Sequence, residues 1–338
     1  MARRAGTATS SAALLKRYLQ MYWLKPFDAV NDTANAQALL QFPWEAPILE
    51  VGGGDGVFSF IMHGGEFDPA DDRFDQADPA RPGDMFDVYW PQRPLTRRGS
   101  SGLQYSVGVD LKWSHLLKSR ATGLYRDLAV ASPAALPFKA GAFRTVFLYF
   151  PHGLIERGDR LSYERTLAEI RRVLTPDGAL LMTAMSDQVA NHFLCYDASK
   201  SCERAGWRRV AAYFARLDGG RFNELAALGR SLASWRILLE QSGFRLVDAR
   251  AQVSPLAWQI YDIQTRPVLR PLIGVVDRLR ASGLKPLLKR LALFCAFPAL
   301  LAFYHLWAKP VRVSVDSDPT GKGLVFAFRA VPAPLAAS

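Results

Sequence analysis

The chain is poor in cysteine and histidine. Its three cysteines, Cys195, Cys202 and Cys295, show no C-x-x-C spacing and make no even count, which excludes a structural zinc site and a disulfide framework and points to a reducing compartment. The five histidines, His63, His115, His152, His192 and His305, fall at no metal-ligand spacing, so no metal is expected. Acid is missing in two places. No Asp or Glu precedes Asp28, and from Arg266 to Arg312 only Asp277 stands against Arg266, Arg270, Arg278, Arg280, Lys285, Lys289, Arg290, Lys309 and Arg312. The acid-free N-terminus is rich in Ser and Ala, but Lys16 and Arg17 break its apolar run before signal-peptide length, which argues against secretion. A transit peptide would fit the missing acid. An amphipathic helix carrying Leu14, Leu15, Tyr18, Leu19 and Tyr22 explains the same residues and is the reading preferred here.

What is present describes a folded chain. Its 338 residues, 49% hydrophobic and 22% charged, exclude a disordered polymer, and a net charge of +11 favours an anionic partner. Strand-like runs (ILEV, QYSVGVD, DLAVAS, RTVFLYF, GALLMTAMS) alternate with helical spacing such as Leu161, Leu167, Ile170 and Leu174, and no internal repeat interrupts them. The expected fold is α/β: a doubly wound, mostly parallel, seven-stranded sheet with an apolar, basic helical insertion near the C-terminus. The chain divides into an N-terminal helical segment (1–45), a core (46–255) carrying a polar excursion (64–104), the apolar basic insertion (256–310), and final strands with a tail (311–338).

The excess of glycine in ILEVGGGDGVFSF marks a ligand site. A dinucleotide fingerprint starting at Gly52 would need glycine at Val57, and a P-loop would need Gly-Lys-Ser/Thr, so both phosphate-binding readings fail on spacing. Acidic-x-Gly-x-Gly-x-Gly fits, on Glu50, Gly52, Gly54 and Gly56. With Asp110 closing SVGVD, AALPFKAGAF before the fourth strand and LAEIRRVLTPDGALLMT around the fifth, the chain resembles the class I, type 11-like methyltransferases that use S-adenosylmethionine.

That resemblance implies a Rossmann-like fold and S-adenosylmethionine as cofactor, bound by Glu50, Gly52, Gly53, Gly54, Gly56, Asp110, Leu111, Ser132 and Leu136, with Asp110 accepting from the ribose hydroxyls. The sequence departs from the pattern at Ser132, which stands where the family places an adenine-contacting Asp, and at Phe143-Arg144 in place of Phe-Asp. The excursion 64–104 also stretches the interval from Gly54 to Asp110 well past the usual spacing of about 20 residues. It is expected over the cofactor mouth, as a lid with Tyr89 and Trp90 as apolar contacts or as a surface loop.

LYFPHGL offers His152 as base and Tyr149 as a positioning residue, with Arg157 as a further candidate and a turn cap as the plain reading of His152. LALFCAFPALLAFYHLWA, residues 291–308, reaches the lower bound of a membrane span and is flanked by base. If GLVFAFRAV belongs to the same sheet as FRLVDARAQVS, a single crossing is excluded, leaving a hairpin broken at Pro298 or helices lying in the interface. The leading expectation is methyl transfer to a small lipophilic acceptor by a cytoplasmic enzyme peripheral on an anionic membrane. Two alternatives stay open: a nucleic-acid methyltransferase, though no RNA-binding module is recognisable, and a binding protein that kept the fold without the activity. A buried cap is the plain reading of the insertion.

Overall fold

The computed structural model describes residues 9–78, 80, 85–149, 162–264, 269–316 and 323–334. Eight strands form one sheet: β1 (Ile48–Val51), β2 (Tyr105–Asp110), β3 (Tyr125–Val130), β4 (Phe143–Leu148), β5 (Leu174–Met185), β6 (Phe244–Gln252), β7 (Val311–Val313) and β8 (Val325–Pro332). Their spatial order is β3-β2-β1-β4-β5-β8-β6-β7. The first five are parallel, and β8 runs antiparallel between β5 and β6. The expected α/β sheet is therefore observed with one strand more than the seven anticipated, because VRV forms the short edge strand β7 against β6.

Helices cover both faces. They are α1 (Ser11–Met21), α2 (Pro26–Leu39), α3 (Val57–Met62), α4 (Trp113–Thr122), α5 (Ser162–Val173), α6 (Leu194–Arg204), α7 (Arg208–Asp218), α8 (Arg221–Ala226), α9 (Leu232–Gln241), α10 (Pro255–Gln264), α11 (Leu269–Ala281) and α12 (Lys285–Phe303). Strand residues alternate between the two cores, as the period of two requires. Phe147, Leu181 and Ala327 face α1, α2 and α3, whereas Val146, Leu148, Leu180 and Phe328 face α5 and α9. The α1 stripe read from the sequence is buried, and Ser10 caps its start by accepting from Ala13 N at 3.2 Å. The four residues TPDG are accommodated as a bulge, since Phe143 pairs with Leu174 while Thr145 pairs with Ala179.

The chain passes from β1 outward to β2 and β3, then returns to β4 on the other side of β1. In an open α/β sheet this reversal opens a crevice at the carboxyl ends of the two strands. The glycine stretch follows β1 and Tyr149 follows β4, so both stand at that crevice.

In the insertion, α12 continues through Pro298 at an exposed turn, without the break anticipated there. A proline in a helix removes one backbone hydrogen bond, and the remaining ladder carries the helix across. Residues 285–308 are long and apolar enough to cross a membrane, and only 17% of the apolar 18-residue window within them is buried. Leu287, Leu291 and Phe294 lie on its open side at 65%, 57% and 81% exposure. Lys285 and Lys289, by contrast, are buried, and this corrects their place in the expected basic rim. Asp72 and Asp75 of the excursion draw them inward: Lys285 Nζ is 2.9 Å from Asp72 Oδ2 and 2.5 Å from Asp75 Oδ1, and Lys289 Nζ donates to Asp71 O at 2.6 Å.

Candidate active site

The turn after β1 takes its shape from positive φ at Gly52 (+71°), Gly54 (+57°) and Gly56 (+73°), a region L side chains avoid. Gly53 is required for space instead, because a Cβ there would sit 2.9 Å from Glu50 Cδ. At Gly54 the nearest atom to such a carbon is His115 Nδ1 at 4.0 Å, so the loop is open on that side.

Glu50 lies beneath this loop. Its two carboxylate oxygens accept from Ser59 Oγ at 2.7 Å and Tyr125 OH at 2.6 Å, and burial pushes its pKa up to about 7 against the pull of those two bonds. Asp110 holds the loop from the β2 side. Its Oδ2 accepts from Gly54 N at 3.0 Å and its Oδ1 from Lys112 N at 2.8 Å, with His115 Nδ1 at 3.5 Å. Burial alone would raise the Asp110 pKa, but the bond and charge of His115 and these backbone donors outweigh it and keep the carboxyl ionised below its usual range.

A cavity of about 330 Å3 opens beside Gly52, Gly53 and Gly54. That is within the range of small-ligand pockets. Tyr149, predicted from the sequence, lines it, stacked on Phe58 with ring centroids 3.9 Å apart. Leu111, partly buried, starts the turn after β2, away from the cavity wall. Ser132 is exposed and its Oγ accepts from Ala134 N at 3.3 Å. Leu136 packs in the core on the α5 side, where Glu169 takes its N–H and Arg172 its C=O. Neither Ser132 nor Leu136 is brought to the cavity. His152 and Arg157 lie outside the described residues. Among the described residues no cluster of His, Cys, Asp and Glu could hold a metal ion.

The excursion reaches the cavity through Arg73 and Phe86, and the anticipated Tyr89 and Trp90 stay off its wall. Arg73 Nε meets Asp55 Oδ2 at 2.8 Å, and Asp87 meets His115 Nε2 at 2.8 Å and Lys112 Nζ at 2.7 Å. Burial would raise the pKa of Asp55, but Arg73, Lys118 and His115 more than reverse this, so a charged pair ties the excursion to the glycine loop.

Sequence reading missed the opposite wall. Asp28, Asn31 and Asp32 project from α2 at i, i+3 and i+4, one face of a helix. Arg221, Trp258 and Tyr261 complete the lining from α8 and α10. The available signal was polar residues at helical spacing inside an otherwise apolar segment, FDAVNDTAN.

No family model and no curated protein matches the chain. Among solved structures it is similar to a SAM-dependent methyltransferase of Thermotoga maritima, at 12% identity over 95% of this chain and 99% of that one, with a TM-score of 0.47. It is also similar to a SAM-dependent methyltransferase of Thiobacillus denitrificans in complex with S-adenosyl-L-homocysteine, at 11% identity over 87% and 88% of the two chains, with a TM-score of 0.38. The fold itself rests on the strand order above, a doubly wound sheet with a glycine turn at its reversal point.

Proposed function

We propose that the chain transfers a methyl group from S-adenosylmethionine to a small acceptor delivered from a membrane surface. One observation carries the first part: a bare glycine turn at the sheet's reversal point, pinned by the ionised Asp110 and opening on a cavity. The positive φ values and the missing Cβ atoms allow close approach of a ligand to the backbone. Asp110 retains lone pairs for hydroxyl donors beside the two backbone N–H groups it accepts. When bound, the sulfonium supplies an electrophilic methyl. The chain's task is to hold an acceptor in line with it and keep water out, for which Phe58, Tyr149 and Phe86 give apolar walls.

The membrane half of the proposal rests on the open face of α12. Leu287, Leu291 and Phe294 recur on one side, with Arg290 exposed on the same helix and Lys309 exposed just beyond its end. Such a face suits an interface rather than a crossing, and β6 and β8 pair directly although the insertion separates them in sequence. Half-buried residues of α12 pack toward α2, where Phe303 meets Phe27 edge-on at 5.0 Å, and the other side of α2 lines the cavity.

Calorimetry with S-adenosylhomocysteine, on wild type and Gly54→Val, tests the cofactor reading. Saturable binding by the wild type and none by the variant is expected. No binding by the wild type overturns it.

A further inference from the structure

The cavity is unusual in how its charges are matched. Lys25 pairs with Asp28, Arg73 with Asp55 at 2.8 Å, and Arg221 lies 3.8 Å from Asp262. Asp32 has no such ion pair among the described residues. Its Oδ1 accepts from Tyr149 OH at 2.7 Å, and the residue, 8% exposed, belongs to the lining. Beside it, Asn31 is equally buried, and its Oδ1 has no hydrogen-bond partner among the described residues. A buried acceptor left unpaired is costly, so a donor from a ligand would offset that cost. The α2 wall thus presents hydrogen-bond acceptors, with no ion pair at Asp32 among the described residues and the charge of Arg73 felt there only without direct contact, and the rings of Tyr22, Tyr149, Trp258 and Tyr261 share the cavity. Carboxylate and amide oxygens among aromatic faces select a group that is both cationic and rich in N–H donors.

We propose that the acceptor is an amine, bound as its ammonium by Asn31 and Asp32 on the cavity face of α2, and that Asp32 takes the proton whose removal frees the nitrogen lone pair. This deepens the methyl-transfer reading and rests on it. An ammonium has no lone pair to attack with. Once one N–H proton passes to the Asp32 carboxylate, the lone pair attacks the methyl carbon, the C–S bond breaks and its electron pair stays on sulfur. The product leaves as a methylated ammonium, and Asp32 returns its proton to solvent. Burial pushes the Asp32 pKa up to about 7, the Tyr149 bond holding it back, which suits a group that must both take and release a proton near neutrality. The charged and titratable groups around it are Asp28 on α2, Tyr22 at the end of α1, Arg73 from the excursion and Tyr149 after β4.

The test compares octylamine with 1-octanol, by calorimetry in saturating S-adenosylhomocysteine. Octylamine should bind at least about tenfold tighter, the scale of a hydrogen bond to a charged group. Its affinity should rise from pH 6 to pH 8 as Asp32 ionises. Asp32→Asn should reduce it to the octanol level and flatten the profile, while S-adenosylhomocysteine affinity stays within threefold. Tyr149→Phe removes a bond that favours the ionised form and should move the midpoint to higher pH. Equal affinity for the two probes, or a pH profile unchanged in a folded Asp32→Asn protein, overturns the proposal. If the wild type bound octylamine through Asp32 but bound no S-adenosylhomocysteine, the amine site would stand and the methyl-transfer reading would fall.

Discussion

Lys285 Nζ lies 2.9 Å from Asp72 Oδ2, and this buried ion pair joins the first turn of α12 to the excursion that contacts the glycine loop through Arg73. Asp72 also accepts from Trp23 Nε1 at 2.8 Å and from Phe74 N at 3.1 Å, capping the 3-10 turn Arg73–Gln76. The next residue, Arg73, then reaches Asp55. A single run of contacts therefore links the exposed apolar helix to the glycine turn.

Removing one member of such a pair strands a buried charge, which costs about 3–5 kcal/mol. Lys285→Ala should lower the melting temperature markedly and speed proteolysis within 64–104. The double variant Lys285→Met with Asp72→Asn should recover part of the loss. A Lys285→Ala protein as stable and as protease-resistant as wild type would show that the pair does not anchor the excursion.

Asp110→Ala deletes the acceptor for Gly54 N as well as the expected ribose contacts. At about 1.5–3 kcal/mol for a hydrogen bond to a charged group, affinity for S-adenosylhomocysteine should fall at least tenfold, with the far-UV spectrum unchanged. A loss below threefold would reassign the ribose contact.

The raised Glu50 pKa makes a stability prediction with a definite sign. Glu50 titrates near 4.5 when unfolded and about 7 when folded, so the native state holds the extra proton between those values. Stability should therefore fall as pH rises from 4.5 to 7 and level off above. Glu50→Gln should flatten that part of the profile in urea titrations at pH 5, 6, 7 and 8. An identical slope in both proteins would mean Glu50 is ionised throughout.

For the membrane, wild type should float with anionic liposomes at low salt and detach as salt rises, each exposed base contributing about 1 kcal/mol. Phe294→Glu with Leu291→Glu should abolish flotation without unfolding the chain, because both side chains are exposed. Wild type left in the soluble fraction at low salt would reduce α12 to a cap.

The parts legible in the sequence were those encoded locally. The Gly52–Gly56 turn, Asp110 at the end of β2 and the return of β8 to the β6 sheet each follow from a few adjacent residues. The α2 wall was not legible, because Asp28, Asn31 and Asp32 acquire their role only when the crevice forms opposite them. Lys285 and Lys289 misled for a related reason. Basic residues beside an apolar run read as a solvated rim until distant carboxylates bury them.

The placing of β8 also bears on how the chain is made. It is the last of the eight strands to leave the ribosome, yet it belongs between β5 and β6. Until residues 325–332 emerge, the apolar edge from Leu180 to Met185 has no antiparallel neighbour, during the very interval in which α10, α11 and α12 are synthesised. Open strand edges beside exposed apolar helices are what aggregate in half-made proteins. Truncation before Val325 should therefore yield an insoluble chain instead of a smaller folded protein, and expression should depend on chaperones that shield nascent strands.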